Sequence, residues 1–223
     1  MGKIILIAGS ETLLGRKLIE KNLSAGNSVI APVQSKDDNT NELKKNNLLV
    51  LPWNKSSVIS TRTVVREGIR VFQKIDEAIL VYSENKTNDL LLDFSTSEID
   101  ESVESSINGI VYLTRELMRV LNPANDRCLS FAIVNKVRNL INPIEKGFQG
   151  FFKSFADATI SGEDKLFKCA FTTSVSEMDS YASFICNILH DRPTKADGQW
   201  LSYTERKNLF SSLPILPRKQ EII

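Results

Sequence analysis

Short apolar runs alternate with amphipathic segments along most of this chain. The runs are rich in β-branched residues and leucine, which favours strands, and the segments between them repeat apolar residues every three or four positions, which favours helices. The predicted strands cover residues 4–8, 29–33, 48–51, 76–82, 128–134, 166–171 and 199–203. A first helix follows the first strand, and further helices are predicted over residues 42–45, 58–73, 99–121, 144–161 and 178–190. This alternation predicts an α/β fold with a doubly wound parallel sheet between two helical layers.

The loop after the first strand is the first candidate ligand site. The strand breaks at Gly9, and a second glycine follows at Gly15 as the helical pattern begins. In a parallel strand crossover, such a loop directs backbone N–H groups and a helix N-terminus toward any phosphate bound there. Both glycines also serve the fold, because Gly9 ends the strand and Gly15 lets the helix pack close to the sheet.

A long amphipathic helix is predicted in the middle of the chain, because apolar residues recur along one face. Ser95 and Glu98 have the spacing of a capping box, the first turn is left open, and Pro123 ends the pattern. The residues of this stripe are Ile99, Val103, Ile107, Ile110, Leu113, Leu117 and Leu121.

The composition is that of an ordinary globular domain. The 223 residues are 42% hydrophobic and 25% charged, and 28 lysines and arginines nearly balance 27 acidic residues. No net field therefore favours nucleic acid or an anionic membrane, and no apolar run approaches the length of a membrane span. We expect a soluble cytoplasmic protein with one domain over residues 1–211 and a proline-containing tail over residues 212–223.

The cysteines and the single histidine do not suggest a metal site. Cys128, Cys169 and Cys186 lie far apart in apolar contexts, which is typical of reduced core residues rather than of disulfides or metal ligands. His190 stands near the end of a predicted helix, where the helix dipole favours a cation. We therefore expect no bound metal.

The end of the second strand is where nucleotide-binding α/β folds usually read the ribose. An acid there favours a free 2′-hydroxyl, and a base favours a 2′-phosphate. Here the chain offers Gln34, Ser35 and Lys36. No acid supports NAD, and Lys36 as a hint of NADP competes with the simpler interpretation of a solvated loop lysine.

Four stretches of the sequence resemble the short-chain dehydrogenase/reductase family, and the resemblance covers nearly the whole chain. The loop from Ala8 to Gly15 matches the T-G-x-x-x-G-x-G motif, except that Leu13 replaces the middle glycine. The other matches are residues 75–81 to an "idvLV" strand, residues 106–109 with 117–118 to the asparagine-bearing helix, and residues 196–201 to the late glycine turn and strand. The resemblance implies the same doubly wound fold.

The resemblance also implies the site residues. In the family, a tyrosine is the acid and base, a lysine four residues on lowers its pKa and binds the ribose, a serine positions the substrate, and an asparagine holds a relay water. Asn108 matches the asparagine and Lys153 the lysine. Gln149 stands at the tyrosine position and cannot exchange a proton near neutral pH, and the serine position, near Arg138, has no hydroxyl residue. The cofactor-binding positions implied by the resemblance are Gly9, Ser10, Leu14, Gly15, Lys36, Asn54 and Lys153.

Tyr82 and Lys86 have the same Y-x-x-x-K spacing. They lie at the end of a predicted strand, however, and a spacing of four places two side chains on one face only in a helix. We interpret them as loop residues.

Aromatic residues form a stripe on the helix that carries Lys153, and Gln149 lies with Lys153 beside the stripe. We interpret the stripe as part of the core, with an aromatic subunit interface as the alternative. In the family this helix and the preceding long helix pair across a two-fold axis, so the resemblance implies a homo-oligomer through helices 97–121 and 144–161. The stripe consists of Phe148, Phe151, Phe152 and Phe155.

The coinciding losses suggest a catalytically degenerate member of the family with a binding, assembly or regulatory role. An atypical NADP-dependent oxidoreductase is the first alternative, with Lys153 or a water supplying the proton and Asn108 helping to place it. A nucleotide-sensing module that binds NADP or NAD without chemistry is the second. Leu13 adds a side chain where the family's cofactor approaches the backbone, which counts against dinucleotide binding.

Overall fold

The computed structural model describes residues 2–34, 47–82, 91–121, 127–135, 143–162 and 166–204. The strands are β1 (Ile4–Ala8), β2 (Ser28–Val33), β3 (Leu48–Pro52), β4 (Glu77–Val81), β5 (Cys128–Val134), β6 (Phe167–Thr173) and β7 (Gln199–Tyr203). The helices are α1 (Leu13–Ser24), α2 (Val58–Phe72), α3 (Thr96–Val103), α4 (Gly109–Val120), α5 (Pro143–Ile160) and α6 (Met178–Asp191). The strands form one parallel sheet in the order β3-β2-β1-β4-β5-β6-β7.

Helices cover both faces of the sheet, because successive residues of a strand point to opposite sides. In β1, Leu6 packs with α2, α4 and α5, whereas Ile5 and Ile7 pack with α1 and α6. Strands buried on both faces are continuous apolar runs, which is why the hydrophobic pattern located them. The predicted α/β fold with a doubly wound parallel sheet is confirmed.

The long helix of the middle region was predicted as one element, and residues 96–120 are helical throughout, but the helix type changes within them. A π-helical segment, Glu104–Asn108, separates α3 from α4. Ser95 caps α3 through a complete capping box with Glu98, as its spacing indicated. No residue of α3 is buried, whereas Leu113 and Leu117 of α4 are. A π turn contains an additional residue, so it rotates the apolar stripe away from the core on one side of the interruption.

Most other boundaries agree with the sequence pattern. The sixth strand ends at Thr173 rather than at residue 171, and the helix that carries Lys153 begins at Pro143. Within the described ranges, no helix combines the length and apolarity needed to cross a bilayer. The helix predicted at residues 42–45 and the tail at 212–223 lie outside the described residues.

A buried cluster of charges closes the amino-terminal edge of the sheet. Glu77, the first residue of β4, is 3% exposed. Its Oε1 lies 2.5 Å from the Nζ of Lys3 and 2.6 Å from Nη2 of Arg192, which follows α6. Two cations thus compensate one buried carboxylate, as a desolvated charge requires.

The three cysteines are free thiols, as predicted. Cys128 and Cys169 are buried in neighbouring strands, and Cys186 on α6 is partly buried. Within the part of the chain that the structure describes, no group of three or more His, Cys, Asp or Glu side chains is arranged to hold a metal ion.

Candidate functional site

The loop between β1 and α1 opens a site at the carboxyl edge of the sheet. Gly9 has a φ of 79°, and a Cβ on it would lie 2.5 Å from the carbonyl oxygen of Val81 at the end of β4. The hydroxyl of Thr12 donates a hydrogen bond to the Gly9 carbonyl (2.7 Å) and accepts one from the Gly15 N–H (2.9 Å), which caps α1. This tight turn brings the first residues of α1 over the strand ends.

Two backbone N–H groups at the start of α1 are available to a ligand. Within the described residues, the N–H groups of Leu13 and Leu14 have no hydrogen-bond acceptor. Free N–H groups at the positive end of a helix dipole favour an anion. Leu13 is the first residue of the helix, and its side chain is 59% exposed. The leucine at the family's middle glycine position therefore leaves the donors in place and adds an apolar side chain on their solvent side.

Two predicted cofactor-binding side chains shape the loops themselves. The hydroxyl of Ser10, which is 6% exposed, donates to the carbonyl of Pro32 at 2.8 Å and fastens the glycine loop to β2. Asn54, after β3, is exposed, and its Oδ1 accepts from the Ser56 N–H at 3.0 Å. Lys36 lies outside the described residues.

A cavity of ≈ 50 Å³ lies between the strand ends and the helices. By volume it holds about four water molecules, or part of a ring system, rather than a whole dinucleotide. Three aromatic rings give it an apolar wall, while hydroxyl, amide and ammonium groups give it a polar one, a lining that suits a planar ring with polar substituents. The lining residues are Ala8, Gly9, Gln34, Trp53, Lys55, Val81, Tyr82, Ser105, Ser106, Ile110 and Phe152.

An ion pair joins the glycine loop to the loop after β3. The Nζ of Lys55 lies 3.0 Å from Oε1 of Glu11, and it also lies 5.6 Å from the centroid of the Trp53 ring. The Trp53 ring is buried and donates its indole N–H to the hydroxyl of Thr61 at 2.9 Å. The Lys55 ammonium is therefore held by a carboxylate and an aromatic face.

A buried glutamine lies one turn before Lys153 on α5. Gln149 on α5 is 5% exposed, and its Oε1 accepts a hydrogen bond from the Nζ of Lys146 at 3.3 Å. Lys153 stands one turn further along the same helix. Burial lowers the pKa of Lys153, and repulsion from the Lys146 ammonium lowers it further.

Asn108 is the last residue of the π-helical segment and is half-buried. This segment packs against α5, the helix that carries Lys153. Two residues of the same segment, Ser105 and Ser106, line the cavity. The serine position near Arg138 lies outside the described residues.

Tyr82 lies at the cavity. It follows β4 directly, as the sequence indicated, and its phenol hydrogen-bonds to the carboxylate of Glu145 in the first turn of α5. The centroid of its ring lies 5.3 Å from that of Phe152. Tyr82 thus ties the end of a strand to the start of α5. Lys86, its partner in the spacing, lies outside the described residues.

The aromatic stripe on α5 divides between the core and the surface. Phe148 and Phe152 are buried, and Phe152 packs edge-on against Phe131 with centroids 5.9 Å apart. Phe151 and Phe155 are half-buried and stack on each other at 5.6 Å. Phe155 also packs edge-on against Phe131, with ring centroids 6.3 Å apart, and lies against the core cluster. The core interpretation is therefore correct for Phe148, Phe152 and Phe155, while Phe151 retains exposed aromatic surface.

The sequence analysis did not predict the Glu11–Lys55 ion pair or the two serines, Ser105 and Ser106, that line the cavity. The two charged residues are 44 positions apart, Glu11 occupies a variable position of the glycine motif, and Lys55 belongs to no motif. The signal that would have found them is topological: in a parallel sheet, residues just after two strand ends lie at the same edge, so a carboxylate after one strand and an ammonium after another are candidates for a pair.

Solved structures share this fold at low sequence identity, whereas no family model and no curated protein sequence matches the chain. A 3-ketoacyl-(acyl-carrier-protein) reductase from Brucella melitensis, solved with NADH, superposes with a TM-score of 0.75 at 15% identity, over 90% of this chain and 96% of that one. A short-chain dehydrogenase/reductase of the glucose/ribitol dehydrogenase type from the same organism superposes with a TM-score of 0.73 at 13% identity, over 90% of this chain and 94% of that one. A putative 3-oxoacyl-reductase from Bacillus thuringiensis superposes with a TM-score of 0.73 at 14% identity, over 92% of this chain and 98% of that one. At these identities, the likeness establishes the fold.

Proposed function

We propose that this chain is a catalytically inactive relative of the short-chain dehydrogenases/reductases, in which the fold serves binding rather than hydride transfer. The observation that carries the proposal is Gln149, buried one turn before Lys153 on α5. A primary amide neither gives nor accepts a proton near neutral pH, so the lysine has no neighbouring acid to activate.

Tyr82 does not replace the missing phenol. It belongs to the end of β4 rather than to the lysine-bearing helix, and its hydroxyl is bonded to the carboxylate of Glu145.

Turnover assays test the proposal directly. The purified chain and its Lys153→Ala variant would be incubated with NADH and with NADPH, together with ketones, aldehydes and acyl thioesters. We expect both proteins to oxidise the cofactor no faster than buffer does. Turnover that disappears in Lys153→Ala would overturn the proposal and favour an NADP-dependent oxidoreductase in which Lys153 or a water supplies the proton.

The free N–H groups of Leu13 and Leu14 favour a second candidate, a module that binds a nucleotide without chemistry. They would hold the phosphates of NADP or NAD, while the cavity beside Trp53 would take part of a base or ribose. The nicotinamide of such a cofactor accepts or donates hydride in an oxidoreductase. A calorimetric titration with NADH and NADPH, followed by the turnover assay with ketones, aldehydes and acyl thioesters as hydride acceptors, decides between them. Binding with no cofactor oxidation in the presence of these acceptors supports this candidate, and no heat of binding eliminates it.

We also propose that the chain pairs with a second copy through the helical residues 97–121, which include α3, the π-helical segment and α4, and through residues 144–161 of the α5 region. The exposed acids Asp100 and Glu104 lie toward one end of the α3–α4 segment, and Arg115 and Arg119, 54% and 51% exposed, lie toward the other. Antiparallel pairing across a two-fold axis would place the acidic end of each copy against the basic end of its partner.

Sedimentation velocity tests this pairing. We expect a dimer in 50 mM salt, with the monomer gaining in 500 mM salt as the charges are screened. Arg115→Glu combined with Arg119→Glu should shift the species to monomer. A monomer in the native protein at low salt would contradict the proposed interface.

A further inference from the structure

The Glu11–Lys55 ion pair crosses the groove where a nucleotide would lie. Glu11 stands in the loop after β1, and Lys55 stands in the loop after β3. The sheet order places β2 between these two strands, and parallel strands lie about 4.8 Å apart, so the pair spans roughly 10 Å of the sheet edge. Gln34, which follows β2 and lines the cavity, lies beneath this span.

Both ends of the pair are held in place by the backbone around them. A Cβ on Gly109, the first residue of α4, would lie 2.8 Å from the Cβ of Lys55, so α4 packs closely against the lysine. The Lys55 side chain is 16% exposed and extends over the Trp53 ring. On the other side, the carbonyl of Glu11 accepts a hydrogen bond from Nη2 of Arg16 at 2.9 Å, and Ser10 is bonded to Pro32.

The charges at this edge have opposite effects on an incoming phosphate. The start of α1 and the Lys55 ammonium attract it, while the Glu11 carboxylate, two residues before the first helical residue, repels it. In the structure, Glu11 satisfies Lys55. A nucleotide can gain the ammonium only if the ion pair opens.

We propose that the Glu11–Lys55 pair is a gate on the nucleotide groove, in which a ligand phosphate displaces the Glu11 carboxylate from Lys55. This rests on the second proposed function, nucleotide binding. The gate discriminates by charge: a ligand with phosphates has a group that replaces the carboxylate, whereas a nucleoside leaves the pair closed and gains nothing from Lys55.

The test compares charge-removing variants by calorimetry with NADPH, NADH and, as the phosphate-free probe, adenosine. The variants are Glu11→Gln, Lys55→Gln and their combination. Glu20→Gln is the matched control, because Glu20 pairs with Lys17 on the same helix, is 63% exposed and lies two turns from the groove. It removes the same formal charge without opening the gate.

Glu11→Gln is expected to tighten the binding of both dinucleotides. Removing a unit charge about 6 Å from a phosphate, at an effective dielectric constant of about 20 to 80, corresponds to a gain of roughly 3- to 100-fold in affinity. The double variant Glu11→Gln/Lys55→Gln should bind the dinucleotides no more tightly than the native protein does. The dinucleotide affinity of Glu20→Gln should remain within about twofold of the native value. Affinity for adenosine, where measurable, should be the same in all variants.

The possible outcomes distinguish the gate from nucleotide binding and from the proposed lack of catalysis. Equal or weaker dinucleotide binding by Glu11→Gln than by the native protein overturns the gate and leaves nucleotide binding intact. No binding by any variant overturns both the gate and nucleotide binding, while the proposed lack of catalysis stands. Oxidation of NADH or NADPH by Glu11→Gln in the turnover assay, where a ketone, aldehyde or acyl thioester accepts the hydride, overturns the lack of catalysis and leaves the gate in place.

Discussion

A Cβ built on Gly15 would lie 2.2 Å from the carbonyl oxygen of Gly9. The two glycines of the loop are thus in backbone contact, and the first turn of α1 rests directly on the turn that ends β1. The contact has a structural role independent of any ligand, because a side chain at position 15 would have to displace backbone rather than a flexible neighbour.

We therefore expect Gly15→Ala to destabilise the protein by about 1–3 kcal/mol or more, as overpacking against backbone does. Gly150→Ala is the matched control, since Gly150 lies in α5, is exposed and would place its Cβ in open space. It should stabilise by roughly 0.5–1 kcal/mol through helix propensity. Urea unfolding measures both, and an unchanged midpoint for Gly15→Ala would contradict the observed contact.

The charge cluster at Glu77 predicts an asymmetric response to charge removal. Arg192→Met takes one of two cations from a carboxylate that is 3% exposed, and we expect a loss of about 1–3 kcal/mol, with Lys3 still compensating part of the charge. Arg70→Met, which removes an arginine that is 70% exposed from its pair with Glu67, should change the free energy of unfolding by less than about 0.5 kcal/mol. If chemical denaturation gave the same loss of unfolding free energy for Arg192→Met and Arg70→Met, burial of the cluster would not determine the contribution of its charges to stability.

Thiol labelling should distinguish the native protein clearly from the unfolded chain. Burial raises the pKa of Cys186 to about 11, and it raises the pKa of Cys128 well above its ordinary value. Because only the thiolate reacts, Cys186 should be labelled at pH 8 about 10²-fold more slowly than an exposed cysteine, with the rate rising as the pH approaches 11. All three thiols should react in 6 M guanidinium chloride. Rapid labelling of the native protein at pH 8 would be inconsistent with this burial.

The divided aromatic stripe of α5 predicts that neighbouring phenylalanines differ in their effects. Phe152→Ala removes a side chain that is 3% exposed and packs against Tyr82 and Phe131, so it should cost about 3–5 kcal/mol. Phe151→Ala removes a half-buried ring and should cost less than about 2 kcal/mol in the monomer. Similar losses in denaturant unfolding would indicate that the whole stripe belongs to the core.

The fold was predictable because its signal is local. Each strand is a short apolar run, and a run such as Ile4–Ala8 predicts a buried strand from its own residues alone. The π-helical segment was not predictable in this way. An α and a π turn differ by one residue in register, and the interruption accompanies the close packing of Gly109 on Lys55, a contact between residues distant in sequence.

The sequence motifs located the elements that carry the candidate site, while the roles of its residues stay predictions. The turn at Gly9, the amide at Gln149 and the lysine at position 153 lie in the elements where the resemblance placed them. The motif did not indicate that Ser10 bonds to the backbone of β2 or that Lys55 bonds to Glu11, since such side-chain partners depend on which strand ends become neighbours. The charge at this edge is therefore a property of the assembled sheet rather than of any single stretch of sequence.

The position of β1 in the sheet has a mechanical consequence for this edge. Residues 4–52 supply three adjacent strands and residues 77–203 supply the other four, so that within the sheet the two parts of the chain are joined along β1 and β4 alone. Gly9 and Val81 lie where that seam ends, with their backbones in contact. A molecule bound between the glycine loop and Tyr82 would contact both parts of the sheet. Its binding would therefore raise the free energy needed to separate β1 from β4.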